Sequence, residues 1–309
     1  MNSGIPVNWS EQYFTIEALE DGLTVKMTLN TLYYSIDDGA SWNRLSASTE
    51  TPAINTGQKI LFKRDSPYIS TSSGIGTFEI SKRHNVGGNI MSLLYGDDFE
   101  DQLSLSGKNY AFYKLFYGCS GLVDASNLIL PATTLANCCY EYMFNGCTSL
   151  VSTPALPATT LADNCYSSMF MGCTSLVSTP ALPATTLASY CYSSMFFGCK
   201  SLVSASELPA TTLAENCYNH MFYGCSSLTT APELPATTLA SYCYSNMFGG
   251  CTKLSYIKML ATNISSIGCL LYWLKNVSSA GTFIKHPSMT TLPSGADGIP
   301  KGWTVIDNV

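Results

Sequence analysis

One string recurs at a fixed interval and constrains everything else in this chain. Pro-Ala-Thr-Thr-Leu-Ala begins at Pro131, Pro157, Pro183, Pro209 and Pro235, each 26 residues after the last. Between the strings a Cys-Tyr pair starts at Cys139, Cys165, Cys191, Cys217 and Cys243, and Met-Phe follows at Met143, Met169, Met195, Met221 and Met247. A second cysteine closes each unit at Cys147, Cys173, Cys199, Cys225 and Cys251. A unit this short cannot bury its own apolar face, so copies must stack and share a core. Leu156, Leu161, Cys165, Met169, Phe170, Cys173 and Leu176 return every period and are assigned inward. The Tyr-x-x-Met-Phe spacing predicts a helical turn stopped by Gly172, and Leu176 to Leu182 predicts a short strand.

Stacking also accounts for the composition. Only 12% of the residues are charged, about half the usual share. In a stack each position faces its own copy at about 5 Å, so a repeated charge would cost about 1 kcal/mol per step even in water. Neutral hydroxyl and amide side chains avoid that cost. The net charge of −6 and the absence of any basic cluster longer than Lys82-Arg83-His84 argue against nucleic acid as a partner. Met1 to Ser10 lacks the marks of a secretory leader, and no apolar run is long enough for a transmembrane segment.

The repeated motif resembles the leucine-rich repeats of BspA-like bacterial surface proteins, which share a Phe-x-x-Cys-x-x-Leu core and a downstream Pro. The likeness spans about residues 116 to 269. The resemblance implies an exported or surface-exposed protein associated with adhesion. The expected fold class is therefore an α/β solenoid: a leucine-rich-repeat-like right-handed coil stack with short strands and short helical turns, preceded by a small all-β sandwich-like domain. The expected boundaries are 1–82 for the sandwich-like domain, 83–115 for a linker and N-terminal cap, 116–269 for the solenoid and 270–309 for a C-terminal cap.

Thirteen cysteines would ordinarily point to a disulfide framework. Here the number is odd and the spacing follows the repeat, while neighbours in a parallel ladder point their Cβ atoms the same way. Buried free thiols acting as small apolar groups are expected instead. No Cys-x-x-Cys or nearby histidine supports a metal, and no cofactor is expected. Cys138 stands where other units carry Asn164, Tyr190, Asn216 and Tyr242, and is expected to be the exposed thiol.

Ahead of the repeat, Tyr13–Ile16, Leu23–Leu29, Leu32–Ser35, Lys59–Phe62 and Thr77–Ile80 read as strands. Ser35-x-Asp37-x-Gly39-x-x-Trp42 matches an Asp-box, a device that braces a hairpin. Candidate chemistry is sparse. His84, His220 and His286 fall in separate segments, and Asp97, Asp98, Glu100 and Asp101 read as a solvated acidic turn, so an enzyme is not expected and a glycan-active one is a remote alternative. The Leu-Pro-Ala-Thr strings lack the Gly of a sortase signal and are internal.

Function is then sought where copies differ. The residue after each Phe varies through Tyr117, Asn145, Met171, Phe197, Tyr223 and Gly249, and Tyr190 and Tyr242 vary just before Cys-Tyr. Tyr117, Met171, Phe197, Tyr223, Tyr190 and Tyr242 are the candidate binding residues, because rigid rings give contact area at little entropic cost. The functional expectation is a non-catalytic extracellular or cell-surface interaction and adhesion module for a protein or glycan partner. The alternative is a structural component of a cell-surface or virus-like assembly.

Overall fold

The computed structural model describes residues 12–47, 49–64, 74–290 and 292–308. The leader reading on Met1 to Ser10 lies outside them. Among the described residues, eleven strands and one four-residue helix make up the regular structure. In chain order the elements before the repeat are β1 (Phe14–Ala18), β2 (Val25–Met27), β3 (Leu32–Ser35), β4 (Asn43–Leu45), β5 (Lys59–Lys63), β6 (Phe78–Ile80), β7 (His84–Asn89) and the helix α1 (Ser92–Tyr95). There follow β8 (Leu122–Ile129), β9 (Tyr256–Met259), β10 (Thr282–Lys285) and β11 (Thr304–Asp307). Strands form within each of the five segments read as strands.

This overturns the expected α/β class. Regular structure is almost all β, in three small sheets, and no named helix or strand lies between Ile129 and Tyr256. The leucine-rich-repeat-like coil, with a strand and a helical turn in every copy, is absent from the described residues. Nor do the first strands close into a separate sandwich. They join a six-stranded sheet of order β4-β3-β5-β1-β7-β8, in which β7 runs parallel to β8 beyond the first turn segment. β2 pairs antiparallel with β6, and the parallel set β11-β10-β9 lies at the other end.

Backbone geometry explains why the helix does not form. In each unit a residue of left-handed φ recurs every fourth position: Cys138, Tyr142 and Gly146, then Asn164, Ser168 and Gly172, and so on to Tyr242, Asn246 and Gly250. A right-handed helix cannot contain such residues. The chain instead makes consecutive four-residue turns. Every second N–H closes a turn, as from Cys139 to the Ala136 carbonyl, Glu141 to Cys138, Met143 to Tyr140 and Cys147 to Phe144. The alternate N–H groups reach the following unit, from Cys138 to the Asp163 carbonyl, Tyr140 to Cys165, Tyr142 to Ser167, Phe144 to Met169 and Gly146 to Met171. A period of four places two residues in and two out. Cys139, Tyr140, Met143, Phe144 and Cys147 face the core, and all five are fully buried.

The predicted strand Leu176–Leu182 fails for a different reason. Its Pro180 and the following Pro183 supply no N–H, so that side of the unit keeps only isolated bridges such as Ser178 to Ser204.

Inside, identical side chains stack. Phe116, Phe144, Phe170, Phe196, Phe222 and Phe248 form a column with ring centroids 5.3–5.6 Å apart. Phe112, Tyr140, Tyr166, Tyr192, Tyr218 and Tyr244 form a second, at 5.5–6.0 Å. Both columns are closed at an end. Phe78 of β6 stacks on Phe116 at 5.7 Å, and Phe14 of β1 packs on both. Trp273 covers Tyr244 and donates its indole N–H to the Gly298 carbonyl at 2.9 Å. Phe196→Ala should lower the unfolding free energy by about 3–5 kcal/mol, because stacked neighbours on both sides hinder collapse of the cavity. Urea unfolding checks this.

All thirteen cysteines are free and buried. The closing cysteine of each unit donates its thiol to a Phe carbonyl of the unit before: Cys147 to Phe116, Cys173 to Phe144, Cys199 to Phe170, Cys225 to Phe196 and Cys251 to Phe222, at 3.0–3.2 Å. Cys119 does the same to Phe78 of β6. Burial pushes the Cys119 and Cys199 thiols up to about 12. The expectation of an exposed Cys138 is overturned: it is 8% exposed, and burial, with the Glu141 carboxylate beside it, raises its pKa to about 11 against the opposing hydrogen bond of Tyr110.

His84 opens β7, paired with Ala18 of β1 on one side and Leu122 of β8 on the other. Its Nδ1 donates to the Lys82 carbonyl at 2.8 Å, which leaves Nε2 buried with no partner among the described residues. Burial lowers its pKa to about 4. The unfolded chain therefore binds the proton more readily, and stability is full above about pH 6.5 and falls as the pH drops toward 4. The expected loss between pH 6.5 and 4.5 is about 2–3 kcal/mol. Urea midpoints at the two pH values, measured for the protein and for His84→Leu, check this: the variant should lose less.

Candidate functional site

The two-in, two-out period presents separate outward columns. One carries Tyr117, Asn145, Met171, Phe197, Tyr223 and Gly249. The next holds Lys114, Tyr142, Ser168, Ser194, His220 and Asn246, all with left-handed φ. A third holds Tyr110, Cys138, Asn164, Tyr190, Asn216, Tyr242 and Gly268, also left-handed, in which Cys138 and Asn216 are covered by their neighbours. Unit-to-unit hydrogen bonds fix the backbone under each column, so side-chain identity can vary there without disturbing the core.

The structure brings together two of the candidate residues and leaves the others apart. Phe197 and Tyr223 stack with centroids 4.9 Å apart and planes 13° from parallel. His220 joins them, its ring 5.5 Å from Tyr223 and 6.3 Å from Phe197. Tyr223 in turn lies across Gly249, where an added Cβ would come within 2.9 Å of its ring. The glycine makes room for the ring, so Phe197, Tyr223 and Gly249 form a flat, supported ridge. Partial burial lowers the His220 pKa, and Nδ1 pairs with the Asn219 side chain. A neutral imidazole thus sits at the edge of the stack near pH 7.

Tyr117 belongs to a different cluster. The Lys114 ammonium lies 5.3 Å from its ring centroid, 5.0 Å from that of Tyr113 and 5.4 Å from that of Tyr142. Sequence reasoning missed Lys114, Tyr113 and Tyr142: Lys114 and Tyr113 lie three and four residues before Tyr117 but fall in the segment read as a cap, and Tyr142 comes from the following unit. Tyr190 is 40% exposed. The Tyr242 ring lies against Gly268, where an added Cβ would come within 2.3 Å of it. Met171 precedes Phe197 in its column and is half-buried.

The other suspected sites are structural. In the turn between β3 and β4, Ser35 Oγ donates to Asp37 Oδ1 at 2.7 Å and accepts from the Gly39 N–H at 2.8 Å, while Ser41 donates from N–H and hydroxyl to Asp37. These hydrogen bonds, that of Ser35 foremost, hold the Asp37 carboxyl down at about 2. Asp97 accepts from Tyr13 at 2.6 Å and pairs with Lys63 at 2.7 Å, and the Lys63 ammonium sits 4.2 Å from the Trp42 ring centroid. Among the described residues no group of three or more His, Cys, Asp or Glu side chains is arranged to hold a metal ion. No helix among them is long and apolar enough to cross a membrane.

Compared with family models, curated proteins and solved structures, the chain matches none.

Proposed function

We propose that the protein is a non-catalytic interaction module, displayed outside the cell or at its surface, that binds a protein or glycan partner through the Phe197–Tyr223–His220 ridge. The supported ring stack carries this reading. Its rings have few rotamers to lose, and Gly249 already holds Tyr223 flat, so little ordering is required on binding. Tyr190 in the adjoining column would extend the contact. The motif likeness to BspA-like surface proteins supports the surface location and the adhesive role.

A second reading, a structural component of a cell-surface or virus-like assembly, is favoured by β11. All four of its residues are exposed, Val305 and Ile306 at 44% and 46%, and it forms the edge of its sheet. An open edge of this kind is a template for pairing with another chain.

Screening the full chain against surface-protein and glycan panels tests the first reading. Phe197→Ala and Tyr223→Ala should each weaken a captured partner at least about tenfold, as expected for an aromatic anchor, with unchanged thermal melting. Binding untouched by either change would remove the ridge from consideration. For the second reading, native mass should rise with concentration and return to the single chain in Val305→Lys.

A further inference from the structure

A cleft lies where β6 meets the first turn segment, well away from the ridge. Two hollows of about 440 and 220 Å3 share Glu79 and Ile80. Together they fall in the size range of about 300–1,000 Å3 typical of small-molecule sites. The larger is walled by Tyr117 and Ser120 on one side and by Thr28 and Glu79 on the other. Its floor is fixed: the Phe78 N–H donates to the Leu115 carbonyl at 2.8 Å, and the Phe78 carbonyl accepts the Cys119 thiol at 3.2 Å.

The groups facing this cleft are free to bind. The Glu79 carboxylate is exposed and makes no hydrogen bond or ion pair with a described residue. Lys26, its cross-strand partner on β2, is engaged by Glu50 at 2.5 Å. Tyr117 is 48% exposed, and Lys114 steadies its ring. The hydrogen-bonded pairs of β2 and β6 alternate, with Thr28 donating to Thr77 and Ser81 to Thr24, so the intervening Ile80 N–H points away from β2.

From this placement we infer that the cleft between β6 and Tyr117 is a binding site for a short uncharged saccharide. A pyranose has an apolar C–H face that suits the Tyr117 ring. Its hydroxyls match a carboxylate acceptor at Glu79, a hydroxyl at Ser120 and a backbone donor at Ile80. The two hollows meeting at Glu79 give room for two sugar units. An extended peptide fits poorly, because Leu115 and Cys119 already occupy Phe78 and leave the β6 edge too short for strand addition. A cationic ligand would meet Lys26 and Lys114 on either side. The inference goes beyond the ridge and shares none of Phe197, His220 or Tyr223.

Saturation-transfer NMR on the full chain with maltose, cellobiose, lactose and N,N′-diacetylchitobiose tests it. At least one disaccharide should receive transfer. Tyr117→Ala should abolish the signal, Tyr117→Phe should retain it, and Glu79→Gln should weaken binding at least about tenfold, since a charged acceptor is lost. Phe197→Ala should change nothing, so failure of the ridge and failure of the cleft are separately visible. Matching melting curves control for folding. The site is overturned if none of the four binds, if binding survives both Tyr117→Ala and Glu79→Gln, or if Phe197→Ala abolishes it.

Discussion

Division of the backbone N–H groups between two directions governs this molecule. Along each turn segment one N–H closes a turn within its own unit and the next reaches the unit beyond. Every buried peptide group must find a partner, and this alternation satisfies the segment without a helix or a sheet. Its cost is a left-handed residue at every fourth position, roughly 1–2 kcal/mol wherever the residue is not glycine. Gly146, Gly172, Gly198, Gly224 and Gly250 take one of the three such places in each unit, and Asn164, Asn216 and Asn246 ease others. Tyr190, Tyr242 and His220 bear the strain outright, held by hydrogen bonds on both sides.

Once that backbone is set, the side-chain pattern follows. Five inward places per turn segment receive Cys, Tyr, Met, Phe and Cys. Rings separated by one unit can only meet face to face, so the two aromatic columns arise from register alone. The closing cysteine is small enough to lie beside the Phe column and still donates to a carbonyl. That hydrogen bond gives the thiol a role that neither a disulfide nor a metal would explain. Stacks of this kind need ends, and the ends are unlike the middle. Phe78 and Phe14 continue the phenylalanine column into the first sheets, whereas Trp273 closes the tyrosine column.

The repeat, its phase and most of the inward residues were legible in the sequence, because burial of identical positions leaves an identical spacing; Tyr166 and its copies, buried as a second column, were not assigned inward. The turn geometry was not. A four-residue period with two residues in resembles a helical face of period 3.6 over the nine residues from Cys139 to Cys147, and only the recurrent Gly and Asn at left-handed places separated the two. Prolines at Pro180 and Pro183 argued against a strand but were outweighed by Val and Thr nearby. The continuity of the first sheet into β8 was hidden as well, since β7 pairs with a strand more than thirty residues later. At the candidate site, Phe197 and Tyr223 stood out as breaks in the period. The packing of Tyr223 on Gly249 could be found only by aligning neighbouring units column by column, and the Lys114 cluster only by carrying that alignment back past residue 115 into the segment read as a cap.

That distinction bears on where binding can evolve. An inward change must fit between copies above and below, so it disturbs two interfaces at once. An outward change in the Tyr117 to Gly249 column touches only its nearest neighbours. The pair Tyr223 and Gly249 shows the consequence: a large ring in one unit is accommodated by loss of a side chain in the next, with the backbone ladder beneath unaltered. Seam positions obey a different rule. Glu79 comes from a sheet strand outside the repeat, and Tyr117 heads its column with a repeat neighbour on one side alone, so the hollow between them is shaped by the sheets and the turn segment meeting at Phe78. Ridge and cleft therefore vary independently, one by substitution along a column and the other by how the first sheets close the stack.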